Sequence, residues 1–243
     1  MKFIERFADL LCHDNVLDWR NQIFKLAHGF GYEQTMLAIL PHPNLPREAE
    51  YAFQHSNYST DWHEKYNAQK LGHVDPTVTH CANKSIPLIW SPEIFSTRKQ
   101  KEMYEEACGY GIRSGVTLPI HGARSELGMV CFVSDAKPGR HFHRQAIHSL
   151  PDFSCFRDFI FESSLKFIKC SGNTIKNIQL TRRELECLKW GATGINSWEI
   201  GYLLNCTEAT VNFHFKNIRR KFNTTSRQQA IVRAIKLGLI HPD

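Results

Sequence analysis

The segment EATVNFHFKNIRRKF, residues 208–222, constrains the fold more than any other part of this sequence. Its apolar residues recur at offsets of 4, 7 and 11, so on a helix they form one stripe that faces a core. They are Val211, Phe215, Ile218 and Phe222. The opposite side of the same helix is polar and basic and carries Asn212, Lys216, Arg219 and Arg220. Such a face is either solvated or in contact with a partner, and its surroundings decide between the two.

The surrounding sequence predicts a bundle of short helices. LTRRELECL opens with a capping box, in which Thr181 is followed three residues later by Glu184. SWEIGYLL predicts a second helix from Ser197, NCT predicts a tight turn, and the basic helix follows at once. A fourth helix is predicted over 227–237, before a glycine. Two helices joined by a short turn, the second with a basic face, indicate a helix-turn-helix.

The charge of the chain is concentrated in this helical part. Residues 174–243 contain 11 of the 30 Lys/Arg and 5 of the 24 Asp/Glu, so residues 1–173 contain 19 of each. The net charge of +6 therefore lies entirely in the C-terminal part. A helical hairpin that only dimerises would not explain this concentration, whereas double-stranded DNA as a polyanionic partner does.

Side-chain chemistry suggests how this part would contact DNA. Asn212 and Lys216 are expected to face base edges in the major groove, because Asn can pair bidentately with adenine and Lys can donate to guanine. The remaining basic side chains are expected to hold phosphates. They are Arg219, Arg220 and Lys221 on the basic helix, with Arg182 and Arg183 on the first helix.

The N-terminal part of the chain mixes helices with strands. Helices are predicted over 2–11, 16–28, 59–70, 75–83 and 98–109, and strands over 34–40, 86–90, 115–120 and 127–134. Two more helices are expected before FIKCSGNTIKNIQ, which interrupts the periodicity and predicts a linker. This order predicts an α+β fold with an antiparallel sheet flanked by helices, an α/β/α sandwich. The predicted divisions are a domain over 1–168, a linker over 169–178 and an all-α helix-turn-helix domain over 179–243.

Composition and local patterns exclude several other classes. An apolar content of 42% in 243 residues supports well-formed cores. The eight cysteines show no CxxC pair and the thirteen histidines no HExxH, so neither a disulfide framework nor a metal site is expected. MKFIERFADLL lacks the apolar centre of a signal peptide, and no continuous apolar run reaches the roughly 18 residues of a membrane span. We therefore expect a reduced, cytoplasmic protein with no cofactor.

The stretch LTRRELECLKWGATGINSWEIGYLLNCTEATVNFHFKNIRRKF resembles the DNA-binding domain of the LuxR-type quorum-sensing transcription factors. Response regulators with a receiver domain carry the same module, but the N-terminal part lacks the acidic pair that a receiver needs after its first strand. VDPTVTHC, TRKQKEMYEEA and LPIHGARSELG are most similar to the LasR-type long-chain receptors within the LuxR-type family. The spacing is typical of that family's acyl-homoserine-lactone pocket at Trp62, Tyr66, Asp75, Pro76, Trp90 and Gly115.

The resemblance implies a role for each pocket residue. An acyl-homoserine lactone presents one N–H donor and two carbonyl acceptors. Asp75 would accept from the amide N–H, Trp62 would donate to the lactone carbonyl, and Tyr58 would donate to the amide carbonyl. The other head-group contacts would be a hydroxyl from Thr77 and apolar walls from Tyr66 and Trp90. The acyl tail would pass Met36, Ala52, Val78, Leu127 and Met129.

Three positions depart from the LasR pattern. Cys131 stands where a serine is expected, His63 replaces an arginine near the acyl substituent, and Ala38 replaces a glycine on the face that lines the tail. Because a thiol is a poorer donor than a hydroxyl, the amide carbonyl would depend more on Tyr58. The resemblance favours a long acyl tail, and these departures leave its exact length and substituent open.

The resemblance also implies a mode of action. The protein would form a homodimer, bind a palindromic promoter element and activate transcription with RNA polymerase as a further partner. In an empty cavity Asp75, Trp62 and Tyr58 would be unpaired, so the lactone is expected to complete the core and permit folding. Two alternatives stay open. One is an enzyme acting on the lactone, for which the sequence offers no GxSxG motif; the other is a regulator that responds to a different small molecule or is active without one.

Overall fold

The computed structural model describes residues 2–39, 53–123, 126–170, 180–237 and 239–240. The chain forms two compact units: the first contains the described residues up to 121 and over 126–170, and the second contains those from 180 onward. The predicted tail contact Ala52 and residues 171–178 of the predicted linker lie outside the described residues. None of the helices within these ranges has the length and apolar character that a membrane crossing requires. The seven cysteines with described side chains are free thiols.

The N-terminal unit is an antiparallel sheet with helices on both faces. Its strands are β1 Gln34–Ile39, β2 Phe53–Ser56, β3 Leu88–Ile89, β4 Ser114–His121 and β5 Leu127–Ser134. They pair in the order β2-β1-β5-β4-β3. Its helices are α1 Lys2–Ala8, α2 Val16–Gly29, α3 Thr60–Ala68, α4 Pro76–Asn83, α5 Arg98–Cys108 and α6 Arg140–Cys170. This architecture confirms the predicted α+β sandwich.

The sheet separates two hydrophobic cores because side chains alternate between its faces. On β5, Val130 and Phe132 belong to a core that the sheet shares with α1, α2 and α6. The intervening residues Met129 and Cys131 belong to a second core, shared with α3, α4 and α5. The second core contains the cavity described below, and Cys131 lines that cavity from β5.

Two elements differ from the prediction. β2 was missed because FQHS contains one apolar residue and forms a half-buried edge strand. The two helices expected before the linker are one 31-residue helix, α6, with Pro151 inside it. Proline removes one helical hydrogen bond, but the fully buried Phe153, Phe156 and Ile160 pack this stretch onto the sheet and keep it helical. α6 also includes residues 169–170, where the linker was expected to begin.

The C-terminal unit is all-helical, as predicted. Its helices are α7 Arg182–Ala192, α8 Ser197–Leu203, α9 Glu208–Phe222 and α10 Arg227–Lys236. Thr181 and Glu184 form the predicted capping box of α7. Between α8 and α9 the Cys206 amide donates to the Gly201 carbonyl at 2.8 Å, and a Cβ at Gly201 would lie 2.8 Å from that Cys206 carbonyl oxygen. This close approach makes the turn tight and confirms the helix-turn-helix.

Candidate ligand-binding cavity and DNA-binding face

A cavity of about 620 Å³, counted with its mouth, lies between the sheet and helices α3, α4 and α5. This space is partly open to solvent, and both apolar and polar side chains line it. The predicted head-group residues come together on its wall. The lining consists of Met36, Gln54, Tyr58, Trp62, His63, Tyr66, Asp75, Thr77, Trp90, Phe95, Met103, Tyr104, Ala107, Ile112 and Cys131.

Asp75 is the anionic group of the cavity, and the protein holds it in place. It caps the N-terminus of α4, where its Oδ1 accepts from the Thr77 amide at 2.8 Å and the Thr77 hydroxyl at 2.7 Å. Its Oδ2 accepts from the Tyr66 hydroxyl at 3.0 Å. Burial raises the pKa of Asp75, and these hydrogen bonds oppose the rise. The expectation that Asp75 is unpaired in an empty cavity is therefore wrong, and Tyr66 is more than an apolar wall.

Tyr58 and Trp62 present the cavity with hydrogen-bond donors. Ser59 caps α3 by accepting from the Trp62 amide, which fixes the start of the helix that carries the indole. Within the described part of the chain, neither the Tyr58 hydroxyl nor the Trp62 indole N–H has a hydrogen-bond partner. Burial raises the pKa of Tyr58 well above its ordinary value, so its hydroxyl keeps its proton and can donate. Both side chains lie where a ligand's carbonyl oxygens could accept from them.

Trp90 does not offer its indole N–H to the cavity. That N–H donates to the Thr117 hydroxyl at 2.8 Å, and the Thr117 oxygen lies 3.2 Å from the Cys131 sulfur. The predicted role of Trp90 as an apolar wall is compatible with this geometry, because only its ring remains for a ligand. Thr117 was not identified from sequence, although its place two residues after Gly115 on β4 puts it on the cavity face.

His63 lies at the edge of the cavity near β2. Its Nε2 is 2.5 Å from the Ser56 hydroxyl, and its ring lies 5.9 Å from that of Tyr58. Burial lowers the pKa of His63, which favours the neutral ring at neutral pH. Gln54 on β2 also lines the cavity and adds an amide there. This edge is therefore polar and uncharged, whereas an arginine in place of His63 would make it positively charged.

The predicted tail contacts divide into three groups. Met36 lines the cavity. Ala38 and Met129 are cross-strand partners in the same core but do not reach the lining, and Val78 packs against that core. Leu127 is half-buried at the start of β5 and lies outside the lining.

Sequence reasoning missed the wall that α5 provides. Met103 and Ala107, four residues apart on α5, face the cavity together with Tyr104. Phe95 stacks on Tyr104 with ring centroids 4.4 Å apart, and Ile112 completes this wall. The apolar spacing of Met103 and Ala107 within a charged helix was the available signal. This side of the cavity can enclose a compact apolar ring.

The basic face of α9 has the predicted arrangement. Val211, Phe215, Ile218 and Phe222 are buried in the core of the C-terminal unit. Asn212, Lys216 and Arg220 are exposed, and Arg219 is half-buried with its guanidinium donating to the Thr225 carbonyl at 3.2 Å. Arg182 and Arg183 on α7 are also exposed, and both form ion pairs with Glu186.

Asn212 is held by a chain of hydrogen bonds that the sequence did not reveal. Arg227 donates to the Ser197 hydroxyl at 3.3 Å, and Ser197 donates to Asn212 Oδ1 at 2.7 Å. This hydrogen bond uses one of the two lone pairs of Asn212 Oδ1 and restrains the exposed side chain. A bidentate contact with adenine is compatible with this hydrogen bond, because the oxygen can accept a second one.

Lys221 does not share the environment of the other basic residues. Its Nζ lies 2.6 Å from Glu184 Oε2, and the Glu184 side chain is only 4% exposed. The same oxygen accepts from the Thr181 amide at 2.7 Å. The expectation that Lys221 holds a phosphate therefore needs correction, because its charge neutralises a buried carboxylate. By contrast, Trp198, Tyr202 and Phe213, which the prediction did not include, are 65%, 80% and 59% exposed on α8 and α9.

Two family models match the chain. Residues 15–163 match the autoinducer binding domain, and residues 178–234 match the bacterial regulatory proteins of the luxR family. The transcriptional activator protein LuxR of Aliivibrio fischeri is 32% identical over 213 residues, covering 86% of this chain and 82% of that protein. The transcriptional activator protein VanR of Vibrio anguillarum is 28% identical over 253 residues, covering 100% and 98%.

Solved structures show the same fold. A crystal structure of Escherichia coli SdiA superposes with a TM-score of 0.76 at 22% identity, covering 98% of both chains. A second structure, SdiA in complex with octanoyl-rac-glycerol, gives a TM-score of 0.77 at 21% identity and covers 97% of this chain and 94% of that one.

Proposed function

Since the chain belongs to the LuxR family of quorum-sensing transcriptional regulators, with an autoinducer-binding domain and a helix-turn-helix DNA-binding domain, we propose that its signal is an N-acyl-homoserine lactone with a long acyl tail. The observation that carries this proposal is the polar wall of the cavity, where the Asp75 carboxylate accompanies the donors of Tyr58 and Trp62. One acceptor and two donors match the one N–H and two carbonyls of the ligand head.

The head would be placed by these groups. Asp75 Oδ2 accepts from Tyr66 and can accept the ligand's amide N–H with a second lone pair. Trp62 would donate to the lactone carbonyl and Tyr58 to the amide carbonyl. The Trp90 ring and the α5 wall would enclose the lactone ring, whose ester ring oxygen is only a weak hydrogen-bond acceptor. Thr77 would act indirectly, by orienting the carboxylate.

The tail would continue from Met36 along the sheet face that carries Ala38 and Met129. Val78, Leu127 and Ala52 stay proposed contacts for a tail that extends past the cavity wall. Burial of each methylene contributes about 0.8 kcal/mol, so a long tail would supply much of the affinity while the head supplies selectivity. The similarity to LasR-type receptors stays a prediction.

We further propose that the protein acts as a homodimer on a palindromic promoter element and activates transcription together with RNA polymerase. The exposed Asn212 and Lys216 would face the bases, and Arg219, Arg220, Arg182 and Arg183 would hold phosphates. Because its DNA target lies in the cytoplasm, we place the protein there. The division into domains over 1–168 and 179–243 with a linker between them is part of this proposal, and the two compact units support it.

Co-purification tests the ligand. The full chain is expressed in a host that makes a mixture of acyl-homoserine lactones, purified, and its small-molecule content identified by mass spectrometry. We expect a lactone with a long acyl chain, recovered intact because this family consists of regulators and not of enzymes. A second culture without lactone, supplemented with octanoyl glycerol, controls for lipids that resemble the tail. Recovery of no lactone from the first culture, or recovery of an equal amount of octanoyl glycerol from the second, would contradict the assignment.

A second experiment tests the coupling of ligand to folding. We propose that the lactone stabilises the folded N-terminal unit, because it would fill the cavity and provide partners for Tyr58 and Trp62. Soluble yield and melting temperature are measured with octanoyl-, decanoyl- and dodecanoyl-homoserine lactone and without ligand. We expect both to rise with the lactone that co-purifies, and equal values with and without it would disprove the coupling.

A further inference from the structure

Trp90, Thr117 and Cys131 form a chain of polar groups that ends at the cavity. The Trp90 indole nitrogen lies 2.8 Å from the Thr117 hydroxyl, which lies 3.2 Å from the Cys131 sulfur. Thr117 is completely buried and does not line the cavity, whereas Cys131 does. A ligand would therefore touch the thiol and not the threonine.

Local backbone geometry explains why these groups meet. Thr117 and Cys131 are directly opposite each other on β4 and β5 and point to the same face. Trp90 follows β3, and its amide donates to the Gly115 carbonyl at 2.8 Å. A Cβ at Gly115 would lie 3.0 Å from the Trp90 ring, so the glycine makes room for the indole to lie over β4.

The chemistry of the three groups fixes the direction of the hydrogen bonds. An indole N–H can only donate, so the Thr117 oxygen accepts from Trp90. The Thr117 proton then needs an acceptor, because an unpaired buried hydroxyl is costly. Within the described residues, the Cys131 sulfur is the only acceptor in its reach. If Thr117 donates to the sulfur, the thiol proton is left to point elsewhere, and the cavity is the open direction.

We propose that Thr117 is a positioning residue that, held by Trp90, turns the Cys131 thiol into a hydrogen-bond donor aimed at the ligand's amide carbonyl. This inference rests on the proposed function, because it takes the ligand to be an N-acyl-homoserine lactone. The amide carbonyl has two lone pairs and can accept from both Tyr58 and Cys131. With the opposite direction, the thiol would offer the cavity only an acceptor, which a carbonyl cannot use.

A double-mutant cycle measures this role. Thr117→Val keeps the shape of the side chain and removes the hydroxyl, and Thr117→Ser keeps the hydroxyl. The probe is the lactone among octanoyl-, decanoyl- and dodecanoyl-homoserine lactone that binds wild type most tightly, titrated against the full chain. Thr117→Val should weaken binding about three- to ten-fold, the effect of one buried hydrogen bond, and Thr117→Ser should restore most of it.

The Cys131→Ala background separates positioning from a purely structural effect. If Thr117 acts through the thiol, Thr117→Val should change affinity less than about two-fold once the thiol is absent. An equal loss in both backgrounds would overturn the proposal, because it would mean that the threonine only supports the fold. Cys131→Ser should bind more tightly than wild type, since a hydroxyl donates better than a thiol in the same position.

A spectroscopic measurement decides the direction of the hydrogen bonds without any ligand. The S–H stretch of Cys131 is isolated by subtracting the Raman spectrum of Cys131→Ala from that of wild type. If the thiol does not donate to Thr117, the S–H stretching frequency should be nearly the same in wild type and in Thr117→Val. A band that shifts to higher frequency in Thr117→Val would show that the thiol donates to the threonine and would overturn the proposal. If no lactone binds wild type, the proposed function fails, and this measurement still decides the direction.

Discussion

Lys221 and Lys216 lie five residues apart on α9 and have opposite surroundings. Lys221 pairs with the buried Glu184 at 2.6 Å, whereas Lys216 is exposed on the basic face. We expect Lys221→Met to destabilise the C-terminal unit. Lys216→Met should leave its stability unchanged and weaken DNA binding. The two substitutions remove the same charge from the same helix, so each is the control for the other.

The expected magnitude follows from the burial of the pair. Removing one partner of a fully buried ion pair costs about 3–5 kcal/mol, because the other charge is left without compensation. The Glu184 side chain is 4% exposed but that of Lys221 is 28% exposed, so water can replace part of the interaction. The Thr181 amide also continues to donate to Glu184. We therefore expect a loss of about 2 kcal/mol, which lowers the melting temperature of a unit of this size by roughly 8–16 °C.

The pH dependence gives an independent check on the same pair. Burial alone would raise the pKa of Glu184, but the hydrogen bonds from Lys221 and the Thr181 amide outweigh it, and the pKa lies below its ordinary value. A lowered carboxyl pKa stabilises the fold above the ordinary value of about 4.3, and this stabilisation is lost as pH falls through the lowered pKa. The stability difference between wild type and Lys221→Met should therefore shrink below about pH 4.

Calorimetry on the full chain with saturating lactone measures the melting of the C-terminal unit, and titration of operator DNA at several salt concentrations measures binding. If Lys216 contacts a phosphate, Lys216→Met should reduce the salt slope by about one unit; if it reads a base, it should reduce affinity and sequence preference. If Lys221→Met melts like wild type but binds DNA more weakly and with a smaller salt slope, Lys221 contacts a phosphate. That result would refute the assignment of Lys221 to the buried ion pair.

Three further predictions concern single residues. Asp75→Asn should abolish most of the lactone response without lowering ligand-free melting temperature at neutral pH, since burial raises the pKa of Asp75 and its ionised form opposes folding. Protonation of Asp75 would weaken it as the acceptor of the ligand's amide N–H, so the lactone affinity of the wild type should fall on acidification. A lactone affinity that does not change with pH would contradict this. Tyr58→Phe should weaken lactone binding about five- to ten-fold with ligand-free stability retained; Tyr104→Phe, which removes a 2.8 Å hydrogen bond to a carbonyl, should lower that stability by about 1 kcal/mol. Gly191→Ala should lower the melting temperature of the C-terminal unit, because its Cβ would lie 2.8 Å from the Phe215 ring, and unchanged melting would show that the ring can move.

Elements with strong local signals could be predicted from the sequence. The capping box at Thr181 and the apolar stripe of α9 fix their helices almost without tertiary context. β2 has no such signal, because its four residues depend on pairing with β1. α6 was predicted as two helices because local propensity takes no account of the sheet, whose packing keeps the helix continuous. Local signals therefore predict elements, and tertiary packing decides their limits.

Which residues line the cavity could be predicted in part, but not their hydrogen-bond partners. Spacing places Asp75 and Thr77 on one helix turn, and their contact follows from it. The bond between Trp90 and Thr117 joins residues 27 positions apart, and that between Lys221 and Glu184 joins residues 37 positions apart. Such pairs depend on strand register and helix packing, which no local pattern specifies. A side chain's chemistry was therefore readable from sequence, while its availability to a ligand was not.

The hydrogen bonds already present in the cavity limit how strongly folding can depend on the signal. Asp75 is satisfied by Thr77 and Tyr66, so it imposes no unpaired acceptor on the empty state. The Tyr58 hydroxyl and Trp62 indole remain, and each costs at most the roughly 1–3 kcal/mol of an unpaired buried donor, because both border a cavity that is partly open to solvent. Even together these costs are smaller than or similar to the roughly 5–15 kcal/mol stability of a typical domain. Ligand at one hundred times its Kd would add about 2.7 kcal/mol by mass action. A stabilisation of this size shifts the folding equilibrium gradually as the ligand concentration rises. The fraction of folded receptor should therefore increase as a graded function of lactone concentration, and a measurable fraction should be folded without ligand.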